Sequence, residues 1–94
     1  MSLITLDLNK EVTALSGQPI EGSNIGAIIG NFFGQVSTED FEKFVDWGKL
    51  LVSRQPIQVD NSDFNKIKVL IDSSGLANMV KVQAMEVIRA AEKT

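Results

Sequence analysis

With 94 residues, a formal net charge of −3, 44% hydrophobic and 22% charged residues, the chain has material for one hydrophobic core and not for two. It contains neither cysteine nor histidine, which excludes disulfides, thiolate nucleophiles, sulfur-ligated zinc and the imidazole base common to acyl-transfer sites. Nine scattered basic residues against twelve acidic ones make nucleic acid an unfavoured partner, since neutralising phosphates needs a local excess of Lys and Arg.

No basic leader precedes a long apolar run, so neither a signal peptide nor a membrane span is expected, and the chain reads as soluble and cytoplasmic. From Ile4 the pattern Ile4-Thr5-Leu6-Asp7-Leu8 alternates, placing Ile4, Leu6 and Leu8 on one face of a strand. Val12 to Leu15 then meets Ser16-Gly17 and Gln18-Pro19-Ile20. Gly17 can take the positive φ of a tight turn, so a small hairpin is expected, with Pro19 confining the returning strand to an edge.

Glu21-Gly22-Ser23-Asn24 is a polar turn able to supply a helix cap. Beyond it Ile25, Ile28, Ile29, Phe32, Phe33 and Val36 recur at helical spacing. The other face of this first helix carries Gly26, Gly30 and Gly34, each costing about 0.5 to 1 kcal/mol relative to alanine, so tertiary packing must hold the helix. Ser37-Thr38-Glu39-Asp40 predicts a second helix start with a hydroxyl cap and acids in the first turn. That helix runs to about Arg54, with Phe41, Phe44, Val45, Gly48, Leu51 and Val52 inward, Trp47 and Leu50 at the stripe's edge, and Gln55-Pro56 ending it.

Ile57-Gln58-Val59 reads as a short extended segment. Asp60-Asn61-Ser62-Asp63 predicts another cap, followed by Phe64, Ile67, Leu70 and Ile71 on a third helix closed by Ser73-Ser74-Gly75, with Gly75 suited to a left-handed terminal position. A last helix from about Leu76 to Lys93 carries Val80, Ala84, Val87, Ile88 and Ala91 on one face, and Met79, Val82 and Met85 widen its apolar sector.

Gly26, Gly30 and Gly34 form a double G-x-x-x-G, but the apolar stretch around them is too short for a bilayer and contains Asn31 and Gln35. The spacing therefore points to close packing within the domain or a dimer. Asn61, Asp63, Asn65 and Asp72 fall at positions one, three, five and twelve of a calcium loop; Lys66 occupies the required glycine position and Asp replaces the final Glu, so no metal is expected. Glu39, Glu42 and Asp46 share a helix with Lys43 and Lys49 at ion-pair spacing, a solvated face and not a catalytic one. No glycine-rich phosphate loop ends in Lys-Ser/Thr, and no cofactor is implied.

Leu6-Asp7-Leu8, the Leu15 to Ile20 turn, the Ile25-Gly26 helix start and the run from Val59-Asp60 through Asp63-Phe64 to Ile67-Lys68 together resemble a family of small uncharacterised bacteriophage and prophage proteins. The resemblance covers nearly the whole chain, rests on a turn and three helix starts, and transfers no catalytic or binding residues. It implies a viral or prophage origin and a bacterial host cell.

The expectation is an α+β domain in which an N-terminal β-hairpin or small meander packs on about four helices. The expected function is non-catalytic, a phage-derived accessory protein that binds another protein and also self-associates. Trp47, Met79, Val82 and Met85 are the candidate interface residues, because tryptophan anchors interfaces and methionine adapts to irregular partners. A second class, a nucleic-acid-associated regulator, would draw on Lys66, Lys68 and Lys81 converging near the third and fourth helices.

Overall fold

Alternating burial builds the smallest element first. In this computed structural model, which describes residues 3–92, β1 (Ile4–Leu6) pairs antiparallel with β2 (Ile57–Val59), setting Ile4 opposite Val59 and Leu6 opposite Ile57. Leu6, Ile57 and Val59 are buried while Thr5 and Gln58 face out, the period of two that a half-covered sheet requires. Four helices complete the chain: α1 (Ile25–Gln35), α2 (Phe41–Val52), α3 (Asn61–Asp72) and α4 (Asn78–Glu92). The expected α+β class with four helices is present; the residue Lys93 at the expected end of the last helix lies outside the described residues. The radius of gyration is 12.6 Å, close to the roughly 12 Å of a compact chain this long.

The expected turn-back at residues 12–20 is present as a minimal hairpin, while β1 pairs with the extended segment Ile57–Val59. After Leu8 the chain turns, with the Asn9 N–H donating to the Asp7 carboxylate at 3.0 Å and the Lys10 N–H to the Leu8 carbonyl at 2.9 Å. Residues 12–20 do fold back about Gly17 (φ 92°), but they meet in a single bridge, Thr13 to Pro19. The bridge is flanked by two backbone bonds, Ala14 N–H to the Gln18 carbonyl and Ile20 N–H to the Val12 carbonyl, both at 2.8 Å; Ile20 is exposed, whereas Ile57 and Val59 offer β1 a matching buried face.

α1 is docked at its N-terminus by the preceding loop. The Asn24 side chain accepts the Ala27 N–H at 3.0 Å, and the Ile25 and Gly26 N–H groups donate to the Lys10 and Leu8 carbonyls, both at 2.8 Å. Three of the N–H groups that a helix leaves free at its start are thereby satisfied without water.

The tightest contact in the fold joins α1 to α2. A Cβ at Gly30 would stand 2.7 Å from the Gly48 carbonyl oxygen and 2.9 Å from Val52 Cγ2, and a Cβ at Gly48 would stand 2.7 Å from the Gly30 oxygen. Gly26 is also enclosed, but Gly34 has nothing within 4 Å, so the three-glycine face is used for two of its members. This approach sets the rotation of α2. Its buried residues are Phe44, Trp47, Gly48 and Leu51, while Phe41, Val45 and Val52, expected inward, are exposed. Trp47 instead ends an aromatic file in which Phe33 meets Phe44 edge-on at 5.0 Å between centroids and Phe44 meets Trp47 edge-on at 4.9 Å, the arrangement ring quadrupoles favour.

The helix ends show three further departures. Asp40 precedes α2 but its side chain makes no cap, and the Thr38 hydroxyl is buried with no hydrogen-bond partner, so the expected hydroxyl cap is absent. α2 closes with the Gln55 N–H on the Leu50 carbonyl at 2.9 Å and the Arg54 N–H on Leu51 at 3.0 Å, with Arg54 at φ 64° in the place glycine normally fills. Gly75 is not left-handed; α3 is ended by the Ser73 and Ser74 hydroxyls donating back to the Val69 and Ile71 carbonyls at 2.9 and 2.6 Å. Asp60 caps α3 as expected, accepting the Asp63 N–H at 2.8 Å.

Two glycines of α1 should respond oppositely to the same change. Gly30→Ala forces backbones apart and should cost about 2 to 3 kcal/mol, whereas Gly34→Ala meets open space and should stabilise by about 0.5 kcal/mol. Urea unfolding of both variants checks this, and equal effects would contradict the close helix approach.

Candidate functional site

A turn held against a helix forms the most developed surface feature. The carboxamide of Gln83 on α4 grips the backbone of Thr13 from both sides: Gln83 Oε1 accepts the Thr13 N–H at 2.8 Å, and Gln83 Nε2 donates to the Thr13 carbonyl at 2.7 Å. A side-chain amide thus takes the place of a neighbouring strand along the outer edge of the bridge. Inside the turn Ser23 Oγ bridges its two strands, accepting the Val12 N–H at 3.0 Å and donating to the Ile20 carbonyl at 2.6 Å. The turn is therefore held along the outer edge of its first strand and across its mouth, and its tip projects Leu15 into solvent at 93% exposure.

Between this tip and α4 lies an open groove of about 620 Å³ lined by Leu15, Ala14, Met79 and Val82, with Lys10 and Glu86 among its charged lining. Val82 is 56% exposed and Met79 is half-buried. The structure thus brings two of the four candidate interface residues together at one surface. Trp47 and Met85 lie elsewhere, buried in the core at 9% and 7% exposure. Leu15 and Gln83 were not singled out from sequence. A large apolar residue beside a Ser-Gly turn is a usable signal for Leu15, but nothing local links Gln83 to a backbone 70 residues away.

A second groove, of about 500 Å³, runs between the α1–α2 connection and α3, lined by Thr38, Asp40, Phe44, Lys66, Val69 and Leu70 among others. Lys66 Nζ donates to Asp40 Oδ2 at 2.6 Å. This hydrogen bond holds the Asp40 carboxyl below the usual carboxylate range and raises Lys66 above the usual lysine range. Both shifts favour the charged forms of the pair.

Comparison with protein-family models, with curated proteins and with solved structures gives no match.

Two of the three lysines expected to converge are individually engaged. Lys66 is held by Asp40, and Lys68 by the Glu92 carboxylate at 2.9 Å, while Lys81 is half-buried on α4. Asp63 is buried and receives Lys43 at 3.3 Å. The calcium-like set Asn61, Asp63, Asn65 and Asp72 lies along the regular helix α3 and not on a loop. Among the described residues no cluster of three metal-ligating side chains occurs.

Gln83→Ala should leave both Thr13 backbone groups unpaired in a partly buried setting and cost about 1 to 3 kcal/mol, with the Thr13 amide losing hydrogen-exchange protection before the helices do. Unchanged protection at Thr13 would refute the clamp. The Asp40–Lys66 pair predicts a pH window. The Asp40 contribution is present above the ordinary carboxylate pKa and is lost as pH falls through its lowered value, and the Lys66 contribution is lost as pH rises through its raised value. A carbon-13 titration should show the Asp40 carboxyl returning to ordinary values in Lys66→Ala.

Proposed function

We propose that this chain is a non-catalytic protein-binding domain, of the accessory kind that phages and prophages encode, acting in a bacterial host cell and docking a protein partner in the Leu15–Met79–Val82 groove. The observation that carries this reading is Leu15 at 93% exposure, on a turn clamped by Gln83 and bridged internally by Ser23, across the groove from Val82 at 56%. A fully exposed leucine forgoes about 1.5 to 3 kcal/mol of burial, and here it does so on a hydrogen-bonded turn. Apolar groups with charged residues beside them fit the arrangement of protein interfaces, an apolar centre within a polar rim.

Two further observations support the non-catalytic part. The chain lacks histidine and cysteine, and the carboxylate and ammonium beside the second groove neutralise each other. No helix among the described residues is long and apolar enough to cross a membrane.

Immobilised protein exposed to lysates of infected or lysogenic bacteria tests the reading. The wild-type chain should retain a stoichiometric partner, Val82→Glu should lose it at least about tenfold, and Val69→Glu, an equally superficial change on α3, should keep it. Equal retention by Val82→Glu, with its helical circular dichroism intact, would remove the groove from the proposal.

A further inference from the structure

A separate surface on α2 leaves large apolar residues open to solvent. Phe41, Val45 and Val52 are 64%, 41% and 45% exposed. At 3.6 residues per turn their spacing puts them within an arc of about 40°, bordering Gly48, which is itself buried against α1. Phe41 and Val45 make a ridge. The stretch beside Gly48 is a hollow of about 350 Å³, lined by Gly34 and Asn31 from α1 together with Val45, Lys49 and Val52. Ridge and hollow thus occupy one face, about 10 Å apart along the helix.

The charges beside that arc are self-complementary. Glu42 and Lys49 stand on its same side, two helical turns apart, too far to pair with each other. Both are exposed, and neither has an ion-pair partner among the described residues, although Lys43, Lys66 and Lys68 all do. From α1 the exposed and uncharged Asn31 lines the hollow.

We infer that the chain forms an antiparallel homodimer through this face, with a two-fold axis crossing α2 between Val45 and Asp46. That one operation brings Glu42 of each copy to the partner's Lys49, sets Val45 against the partner's Val45, and places Phe41 level with the partner's hollow between Gly48 and Val52. A parallel pairing would instead carry the partner's Glu42 and Lys49 to the opposite flank and leave all four charges without a counter-ion across the interface. An isologous interface needs one patch that complements itself, and α2 offers that in both shape and charge. A domain this small gains most from covering apolar surface that its own core leaves out. The inference goes beyond the Leu15 groove and does not use it.

Sedimentation equilibrium at low ionic strength, from about 1 to 200 μM, reads the outcome. The wild-type chain should dimerise. Glu42→Lys and Lys49→Glu should each weaken the dimer at least about tenfold, and the double exchange E42K/K49E should return it to within about threefold of wild type. Val45→Glu should give a monomer, whereas Val82→Glu should leave the dimer intact, which separates this surface from the docking groove. All five substituted forms change exposed residues, and circular dichroism should show native helix content in each. A wild-type monomer across the range, single reversals without effect, or a double exchange that fails to restore association overturns the inference.

Discussion

The mutual approach of Gly30 and Gly48 is the constraint from which the rest of the arrangement follows. Neither position has room for a Cβ against the other's carbonyl oxygen, so α1 and α2 meet backbone to backbone. That contact fixes the roll of α2. With Gly48 turned to α1, Leu51 and Phe44 point into the core, and Trp47 is carried from the edge of the apolar stripe to the end of the Phe33–Phe44–Trp47 file. Phe41, Val45 and Val52 adjoin Gly48 at the margin of the packed arc and are left exposed. Their exposure follows from close helix packing, because a helix with apolar residues over more than half its circumference cannot bury them all against one neighbour.

The loop from Leu8 to Asn24 is the second organising element, and polar contacts hold it where apolar ones are few. Of its residues only Leu8, Val12 and Asn24 are buried, yet its backbone is tied to the α1 N-terminus, to Ser23 and to Gln83. Asn24 joins these ties, accepting the Ala27 N–H while its amide nitrogen donates to Asn9 at 3.0 Å. Such a loop can be rigid without a core of its own. That explains how an exposed leucine stays at its tip instead of folding back onto the domain.

Elements set by local chemistry were legible in the sequence. The caps at Asn24 and Asp60, the alternation through Leu6 and Leu8, the turn at Gly17 and all four helices follow from side chains within a few residues of the features they specify. Elements set by tertiary competition were not. β1 chose β2 over the adjacent turn because Ile57 and Val59 present a buried pair that Pro19 and Ile20 cannot. Asp40 left its helix end for Lys66, 26 residues away, and the Thr38 hydroxyl went uncapped with it. The left-handed residue after α2 is Arg54, where composition would have named glycine, because the paired carbonyls of Leu50 and Leu51 and the following Pro56 enforce the turn. For the candidate site, Met79 and Val82 were visible as excess on the α4 stripe. Their separation from Met85, one turn on and buried, depends on the angle at which α4 lies on the core, which periodicity alone does not carry.

The distribution of charge bears on what such a surface can do. Lys43, Lys66 and Lys68 are each bound to a carboxylate from another element: Lys43 on α2 to Asp63 on α3, Lys66 on α3 to Asp40 ahead of α2, and Lys68 on α3 to Glu92 at the end of α4. These pairs stitch α3 to its neighbours on both sides, and the two that are mostly exposed add specificity of placement more than stability. Their consequence is negative and useful. These three cations, each committed to a carboxylate, add little to the concentrated positive field that phosphate backbones require. The large apolar groups left most open to solvent include Leu15 at the clamped turn and Phe41 at the start of α2.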